Sequence, residues 1–215
     1  MKRFVTRALI VVAAILGTVF AQVAPASATA PVDPSGKLAS DLAALWTKVI
    51  ETPSPVNPIL TDSACWDLGH HTVAPFFGSP DLSCSVKTGT KLFVAGWSTE
   101  CSTIPGDDGG PGLSEDRLRQ CAHDGVDERK PTTVTLDGKD VPLTEVETPA
   151  LKIDLPADNI LGAPEGEYLS VADGLVALLH PLTPGEHKIV IVNRDPDHPD
   201  HPTTTTTTIN VEQSH

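Results

Sequence analysis

Residues 132–143 read TTVTLDGKDVPL, and this segment decides the fold class of the chain. Asp137-Gly138 at its centre is a strong signal for a two-residue hairpin turn, because both central positions of such a turn need positive φ. The β-branched residues on either side favour extended backbone. The segment therefore predicts an antiparallel hairpin with strands over residues 132–136 and 139–143.

Further strand-like segments follow this hairpin. Residues 151–155 read LKIDL and alternate apolar with polar side chains, as a half-buried strand does. Four more strands are predicted at residues 168–171, 175–179, 187–192 and 203–211. Short strands at this spacing are typical of two packed antiparallel sheets. We therefore predict a mainly β fold, an antiparallel β-sandwich, with a β-bulge at Asp173-Gly174.

Six consecutive threonines occupy residues 203–208, at the start of the last predicted strand. Because β-branched side chains fit a pleated surface, we interpret them as part of a strand at the edge of a sheet. A tract for O-glycosylation is the alternative interpretation.

One amphipathic helix precedes the β-rich part of the chain. Five apolar side chains recur at the spacing of a single helix face, and Thr52-Pro53 then ends the helix. They are Leu38, Leu42, Leu45, Trp46 and Val49. This helix is expected to pack on the sandwich.

Residues 53–112 are rich in Pro and Gly and predict a region of loops. Short strands are predicted within it at residues 71–77 and 91–97. A second, short helix is predicted over residues 115–123. Ser114 supplies its cap, and its acidic residues precede its arginines, in the order that the helix dipole favours.

The N-terminus has the pattern of a cleavable signal peptide. Three basic residues, Lys2, Arg3 and Arg7, precede an apolar stretch at residues 8–21 that is too short to span a bilayer. Ala26-Ser27-Ala28 then provides a cleavage site. The mature protein is therefore expected to be secreted and extracellular.

Cleavage divides the chain into a signal peptide (residues 1–28), a flexible leader (29–36) and a single β-sandwich domain (37–215). The signal peptide holds three of the 15 basic residues and none of the 28 acidic ones, so the net charge changes from −13 to −16. A chain this acidic repels nucleic acid and anionic lipid. We therefore expect no nucleic acid and no membrane as partner after cleavage, and instead an unknown extracellular protein or glycan.

All four cysteines lie within one window of 57 residues. An even number in an exported chain predicts two disulfides, for which three pairings are possible. We favour Cys65 with Cys84 and Cys101 with Cys121, because these bonds close short loops in the Pro/Gly-rich region. Each would stabilise the fold by about 3 kcal/mol. Zinc is the rival explanation, but the chain has no C-x-x-C motif.

Seven short motifs are spread over residues 38–211. They are Asn57-Pro58-Ile59-Leu60, Cys84-Ser85-Val86, Arg119-Gln120-Cys121-Ala122, Leu136-Asp137-Gly138, Leu155-Pro156, Ala172-Asp173-Gly174 and PLTPGEH at residues 181–187. Together they resemble a group of secreted bacterial proteins of actinobacterial type that have four cysteines and no assigned activity. The resemblance implies an exported, β-rich, disulfide-bonded domain. It implies nothing about a cofactor or a catalytic residue.

Motifs for catalysis are weak in this chain. Residues 96–100 read GWSTE and begin like the G-x-S-x-G nucleophile elbow, but Glu100 replaces the final glycine and no helix is expected to follow. The chain has no H-E-x-x-H motif, phosphate-binding loop or dinucleotide fingerprint. We therefore assign no catalytic residue and predict no cofactor.

Two pairs among the eight histidines are candidates for a metal site. His198 and His201 have ligand-like spacing in a Pro-rich turn. The interpretation that we favour is a solvated hairpin loop without an ion. His70 and His71 are adjacent, so on a strand they would point to opposite faces and would not share an ion.

These observations favour a secreted binding or structural module without enzymatic activity. The competing hypothesis is a secreted hydrolase or metal-dependent enzyme whose site is assembled from separate strands. A deep pocket lined by two or more of a set of six side chains would favour the enzyme. The set is His70, His71, His123, Asp173, His180 and His187.

Overall fold

The computed structural model describes residues 36–60, 65–75, 82–106, 109–195, 197–198 and 200–213. The predicted signal peptide and residues 29–35 of the predicted leader lie outside the described residues. Within the described ranges, the chain forms two α-helices and eleven β-strands. In chain order they are α1 (Gly36–Glu51), β1 (Cys65–Gly69), β2 (Thr72–Pro75), β3 (Leu82–Lys87), β4 (Lys91–Ser102), α2 (Glu115–Asp127), β5 (Thr133–Leu136), β6 (Lys139–Val141), β7 (Thr144–Glu147), β8 (Leu151–Leu155), β9 (Gly166–Leu179), β10 (Gly185–Asn193) and β11 (Thr203–Glu212).

The strands form two sheets. Sheet A has the order β1-β2-β4-β9-β7, and β8 also pairs with β9. Sheet B has the order β3-β11-β10-β5-β6. Among the described strands, the pairs β2–β4 and β3–β11 are parallel and the other pairs are antiparallel. The predicted mainly β sandwich is confirmed, and its predicted hairpin is β5–β6, with positive φ at Asp137 and Gly138.

Sheet A is covered on both of its faces. On β4, Leu92 and Val94 pack in one core with sheet B, whereas Phe93 between them packs in a second core with α1. Strands covered on both sides become nearly continuous apolar runs. The predicted amphipathic helix is confirmed as α1, and it buries Leu38 and Leu42 completely. Burying one leucine stabilises a fold by about 1.5–3 kcal/mol.

α2 and sheet B cover two ends of the same face of sheet A. On β9, Val171 packs under α2 and Ala177 packs against sheet B. Residues an even number apart point to one face of a regular strand, and β9 has no extra residue in its pairing with β4. α2 therefore occupies the part of this face that sheet B leaves uncovered.

The β-bulge lies on β4 and not at Asp173-Gly174, so that prediction is wrong. The register of β4 against β9 shifts between Ala95 and Trp97, which makes Gly96 the extra residue. Gly174 is needed for a different reason, the close approach of α1. A Cβ at Gly174 would lie 3.0 Å from Ser98 Cβ and 3.2 Å from Leu42 Cδ2.

The Pro/Gly-rich region has more regular structure than its sequence predicts. It contributes four strands, β1 to β4. The disulfide Cys65–Cys84 joins β1 to β3, which are edge strands of the two different sheets, and Cys101–Cys121 joins β4 to α2. This is the pairing that the sequence favours, and each bond links two layers of the fold.

The threonine run forms β11, but not at an edge as predicted. β11 lies between β3 and β10, and Thr207 is completely buried. The edge prediction is wrong because β3, whose residues lie more than 100 positions earlier, adds to this sheet in parallel. Within the described ranges, neither helix has the length and apolarity required to cross a bilayer.

Candidate functional site

Five ionisable side chains meet where α2 crosses sheet A, and we call them the His123 cluster. Its members are His123 and Asp127 on α2, Lys130 just beyond α2, Glu145 on β7 and Asp173 on β9. Glu145 pairs with Leu175, two positions from Asp173, so both carboxylates point to the face that α2 covers.

Two carboxylates converge on one nitrogen of the His123 ring. Nδ1 lies 3.1 Å from Asp173 Oδ2 and 3.3 Å from Glu145 Oε1. An imidazole carries at most one hydrogen on each nitrogen, so Nδ1 donates to only one of these two oxygens. Within the described ranges, His123, Glu145 and Asp173 form the only group of three or more His, Cys, Asp or Glu residues whose ligand atoms all lie within 4.8 Å of one another.

The other polar atom of each of these three side chains is held in place. Nε2 of His123 lies 3.4 Å from Asp127 Oδ2. Oε2 of Glu145 accepts a hydrogen bond from Lys130 Nζ at 2.7 Å. Oδ1 of Asp173 accepts the backbone N–H of Gly174 at 2.6 Å. The outward atoms are thereby fixed, and the inward atoms face one another.

The cluster has unbalanced charge. Three carboxylates face one lysine and one imidazole, and the Asp173 side chain is only 5% exposed. The hydrogen bond with Asp173 raises the pKa of His123 above its ordinary value, and the charges of Asp127, Asp173 and Glu145 raise it further, although burial opposes them. The imidazole side chain itself is 47% exposed, so solvent reaches it.

His187 forms a simpler pair with a carboxylate of the β5–β6 turn. Its Nδ1 lies 2.7 Å from Asp137 Oδ2, and Asp137 Oδ1 accepts the backbone N–H of Lys188. Burial lowers the pKa of His187, but hydrogen bonds with Asp137 and with the Thr183 carbonyl outweigh burial and raise it. This pair attaches the hairpin turn to β10.

His70 and His71 lie in a turn and not on a strand. The strand predicted at residues 71–77 is β2, which begins one residue later at Thr72, and residues 76–77 lie outside the described residues. The two histidines are the central residues of the β1–β2 hairpin, with φ of 52° and 57°, and both are exposed. Both also line an open depression of about 690 Å³ beside the Cys65–Cys84 disulfide. It is a surface feature at a hairpin tip, whereas the enzyme hypothesis requires a deep pocket.

The remaining sequence candidates are not brought together. His198 Nδ1 lies 3.3 Å from Asp195 Oδ2, and His201 contacts His198 through backbone atoms. His180 is exposed in the β9–β10 connection. The GWSTE segment lies within the continuous strand β4, so the strand-turn-helix geometry of a nucleophile elbow is absent there.

A second feature of the surface is apolar. Among the described residues, the four exposed large apolar side chains all come from two loops, and we call them the apolar surface. They are Val56 (66% exposed), Ile59 (37%), Leu60 (61%) and Leu161 (40%). The two loops are joined by a hydrogen bond from Ser54 N–H to the Asp158 carbonyl at 2.7 Å.

A groove of about 420 Å³ begins at the apolar surface and runs between the C-terminal ends of α1 and α2. Ile59 and Leu161 line it on one side, and Trp46 and Trp97 extend it inward. The guanidinium of Arg129 lies 4.5 Å from the centre of the Trp97 ring. The groove therefore combines apolar and aromatic side chains with the acidic Glu128 and with one cation that is already stacked on an aromatic ring.

His123 and Asp173 are two of the six candidates from the sequence, but the other members of the cluster and the whole apolar surface were missed. Each feature leaves a signal. Asp173 is an acidic residue in the mostly apolar stretch at residues 171–179, which indicates a buried carboxylate with a partner. Val56, Ile59 and Leu60 stand among prolines in a segment predicted to be loop, where large apolar side chains have no core to enter.

Comparisons with known proteins do not assign this chain to a family. No protein-family model matches the chain, and no curated protein does either. Solved structures that align with it include amebosin in solution, which is 15% identical, covers 67% of this chain and 100% of its own, and has a TM-score of 0.26. The cysteine protease inhibitor EhICP2 of Entamoeba histolytica is 11% identical, with coverages of 62% and 87% and a TM-score of 0.22.

PbICP-C, solved in complex with falcipain-2, is 11% identical, with coverages of 66% and 98% and a TM-score of 0.21. TM-scores this low carry no argument about this chain.

Proposed function

We propose that this chain is a secreted binding module that holds an apolar segment of an extracellular protein, flanked by basic side chains, against the apolar surface. The observation that carries the proposal is the placement of the exposed large apolar residues. All four of them in the described ranges come from two adjoining loops. Apolar side chains that are concentrated in one place, and not scattered singly, mark interaction sites.

The loops that carry the apolar surface are rigidly attached to the fold. Asn57 is fully buried and donates from Nδ2 to the carbonyls of Val49 and Thr52, at the end of α1. Asn159 closes the second loop on itself, donating to the carbonyls of Pro156 and Ala163. Pre-organised loops lose little conformational entropy when a partner binds, which favours affinity.

The groove supplies a place for an anchoring side chain. Trp46 and Trp97 line it beside the apolar surface. Aromatic residues are enriched among the few side chains that contribute most of the free energy of binding at protein interfaces. An apolar side chain of the partner would enter the groove between Ile59 and Leu161.

Charges beside the apolar surface indicate the chemistry of the partner's flanking residues. Glu128 lines the groove, and Glu51, Asp154 and Glu165 line a second depression where these loops join α1, β8 and β9. The mature chain is also strongly acidic overall. A partner with lysine or arginine next to its apolar segment would associate faster and with better selectivity.

A protein partner fits this surface better than a glycan does. Sugar rings stack on open aromatic faces, whereas the guanidinium of Arg129 occupies one face of Trp97. The hydrolase hypothesis stays a prediction. Within the described residues, the groups that contact the His123 ring as ion-pair or hydrogen-bond partners are all carboxylates, and none of them is a hydroxyl or thiol nucleophile.

The experiment is selection from a random peptide library displayed on phage, followed by calorimetry with the selected synthetic peptides. We expect the selected peptides to combine an apolar residue with Lys or Arg. The double substitution Ile59→Asp with Leu161→Asp should weaken their binding by at least about tenfold, since it removes two contacts of the kind that dominate interfaces.

Thr203→Asp, at an exposed position of β11, is the control variant and should bind the peptides like the wild type. Circular dichroism confirms that both variants fold. The proposal is overturned if the library yields no binder, or if the selected peptides bind the double variant as tightly as the wild type.

A further inference from the structure

We propose that His123, Glu145 and Asp173 form a binding site for a divalent transition-metal ion, with zinc as the preferred ion. The inference is independent of the protein-binding surface. It rests on the geometry of three inward-facing atoms and on the contacts that hold their side chains.

The separation of the three inward atoms suits a small metal ion. Ligand atoms at about 2.0–2.1 Å from a tetrahedral zinc ion lie about 3.3 Å from one another. His123 Nδ1 lies 3.1 Å from Asp173 Oδ2 and 3.3 Å from Glu145 Oε1, and all three ligand atoms lie within 4.8 Å of one another. An ion placed among these atoms would satisfy both carboxylates, whereas a single hydrogen on Nδ1 satisfies only one of them.

The donor set indicates the class of metal. One imidazole nitrogen with two carboxylate oxygens suits zinc and related divalent transition ions, whereas calcium and magnesium prefer ligand sets made only of oxygen. Three protein ligands leave a fourth position for water, and the 47% exposure of His123 gives that position access to solvent.

Each ligand also has the outer contact that metal ligands commonly have. In metal sites, a ligating histidine usually donates its second N–H to a carboxylate, which fixes the ring and its tautomer. Asp127 is placed to accept from His123 Nε2 at 3.4 Å. Lys130 holds the outer oxygen of Glu145, and the Gly174 N–H holds that of Asp173.

The ligands come from three elements that are themselves fixed. Cys101–Cys121 ties α2 to β4, and β7 and β9 are paired in register through Glu145 and its neighbours. Gly125 lets the helix approach closely, since a Cβ there would lie 2.6 Å from Thr99 Cγ2. Such a framework holds the three ligand atoms at nearly constant separation, which metal sites require.

His187 provides a matched control within the same chain. Its imidazole also faces a carboxylate through Nδ1, at 2.7 Å from Asp137 Oδ2, but no second carboxylate contacts it within the described residues. If both histidines only form ion pairs, replacing either one should have the same effect on zinc binding. A metal site at His123 predicts that only the replacement of His123 abolishes it.

The test is isothermal titration of the untagged mature protein with zinc chloride near pH 7.5. We expect one ion per chain, and cobalt should bind in its place and give the intense visible absorption of a tetrahedral centre. Glu145→Gln and His123→Gln should abolish binding. Asp127→Asn should weaken it by about 10-fold to 100-fold, the usual effect of losing an outer contact.

His187→Gln should bind zinc like the wild type, and so should the double variant His198→Gln with His201→Gln. Circular dichroism and thermal unfolding without metal check that each variant folds. The proposal fails if the wild type shows no zinc binding at micromolar protein, if His123→Gln binds like the wild type, or if binding is lost only in the His198/His201 variant.

Discussion

α1 and α2 both pack on sheet A, but different chemistry holds them. α1 contributes Leu38, Leu42, Val49 and Ile50 to a large apolar core. α2 buries only Leu118, Ala122 and Val126 and is otherwise held by a disulfide and by charged contacts with β7 and β9. The difference teaches that one helix is a permanent part of the core, whereas the attachment of the other depends on the oxidation state of two cysteines.

The largest loss of stability is expected from a substitution in the core beneath α1. Leu42→Ala should lower the free energy of unfolding by about 2–5 kcal/mol, because Leu42 is completely buried and its loss leaves a cavity. Leu45→Ala on the same helix is the control and should cost less, since Leu45 is only half-buried. Urea denaturation measures both. Equal losses in the two variants would contradict the view that α1 is held by its fully buried leucines.

The second largest loss of stability is expected when the disulfide that attaches α2 is removed. Replacing Cys101 and Cys121 together by Ser should lower the free energy of unfolding by about 3 kcal/mol, since the bond closes a loop of about 20 residues in the unfolded chain. Hydrogen exchange should also become faster in α2 than in α1, because α2 has few other buried contacts.

The double substitution of Cys65 and Cys84 by Ser is the matched control for that experiment. It removes a bond of nearly the same span, but one that joins two sheet edges and does not touch α2. If α2 exchanged equally fast in both double variants, the disulfide would not be its specific attachment.

The sequence predicts α1 and not the extent of α2 for a physical reason. Leu38, Leu42, Trp46 and Val49 are separated by three or four residues, so the side chains that α1 packs on the core form a recognisable pattern within one short segment. α2 reaches Asp127, beyond its predicted end at residue 123. Gly125 disfavours helix in this last turn, although Val126 continues the apolar spacing of Leu118 and Ala122. The glycine is needed because the helix approaches Thr99 of β4 there, and the local sequence does not show that contact.

Some strands were likewise predicted from the sequence and others were not. The β5–β6 hairpin was predicted because its turn residues are adjacent, and Leu151–Leu155 because it alternates cleanly. β3 was missed although residues 82–87 also alternate apolar and polar side chains, because this segment stands in the Pro/Gly-rich region that was predicted to be loop. β7 was missed because it has four residues with a single buried side chain, Val146. For the His123 cluster the obstacle is distance along the chain, since His123 and Asp173 are 50 residues apart.

The smallest loss of stability is expected when the charged contacts between α2 and β7 are removed. Arg119 on α2 forms ion pairs with Glu115 on its own helix and with Glu147 on β7, and it also donates to the Thr148 carbonyl. The side chains are partly exposed, so solvent screens their attraction. Arg119→Ala should therefore lower the free energy of unfolding by only about 0–1 kcal/mol, and less at high salt than at low salt.

Lys37→Ala is the matched variant on the other helix, because Lys37 pairs with Asp41 at 2.7 Å and four residues apart. Urea denaturation at two salt concentrations compares the two. If Arg119→Ala cost more than the loss of the Cys101–Cys121 bond, charge and not covalent linkage would be the main attachment of α2. If both variants cost little, the ion pairs orient α2 on β7 without holding it there, and the disulfide with Leu118, Ala122 and Val126 remains its anchor.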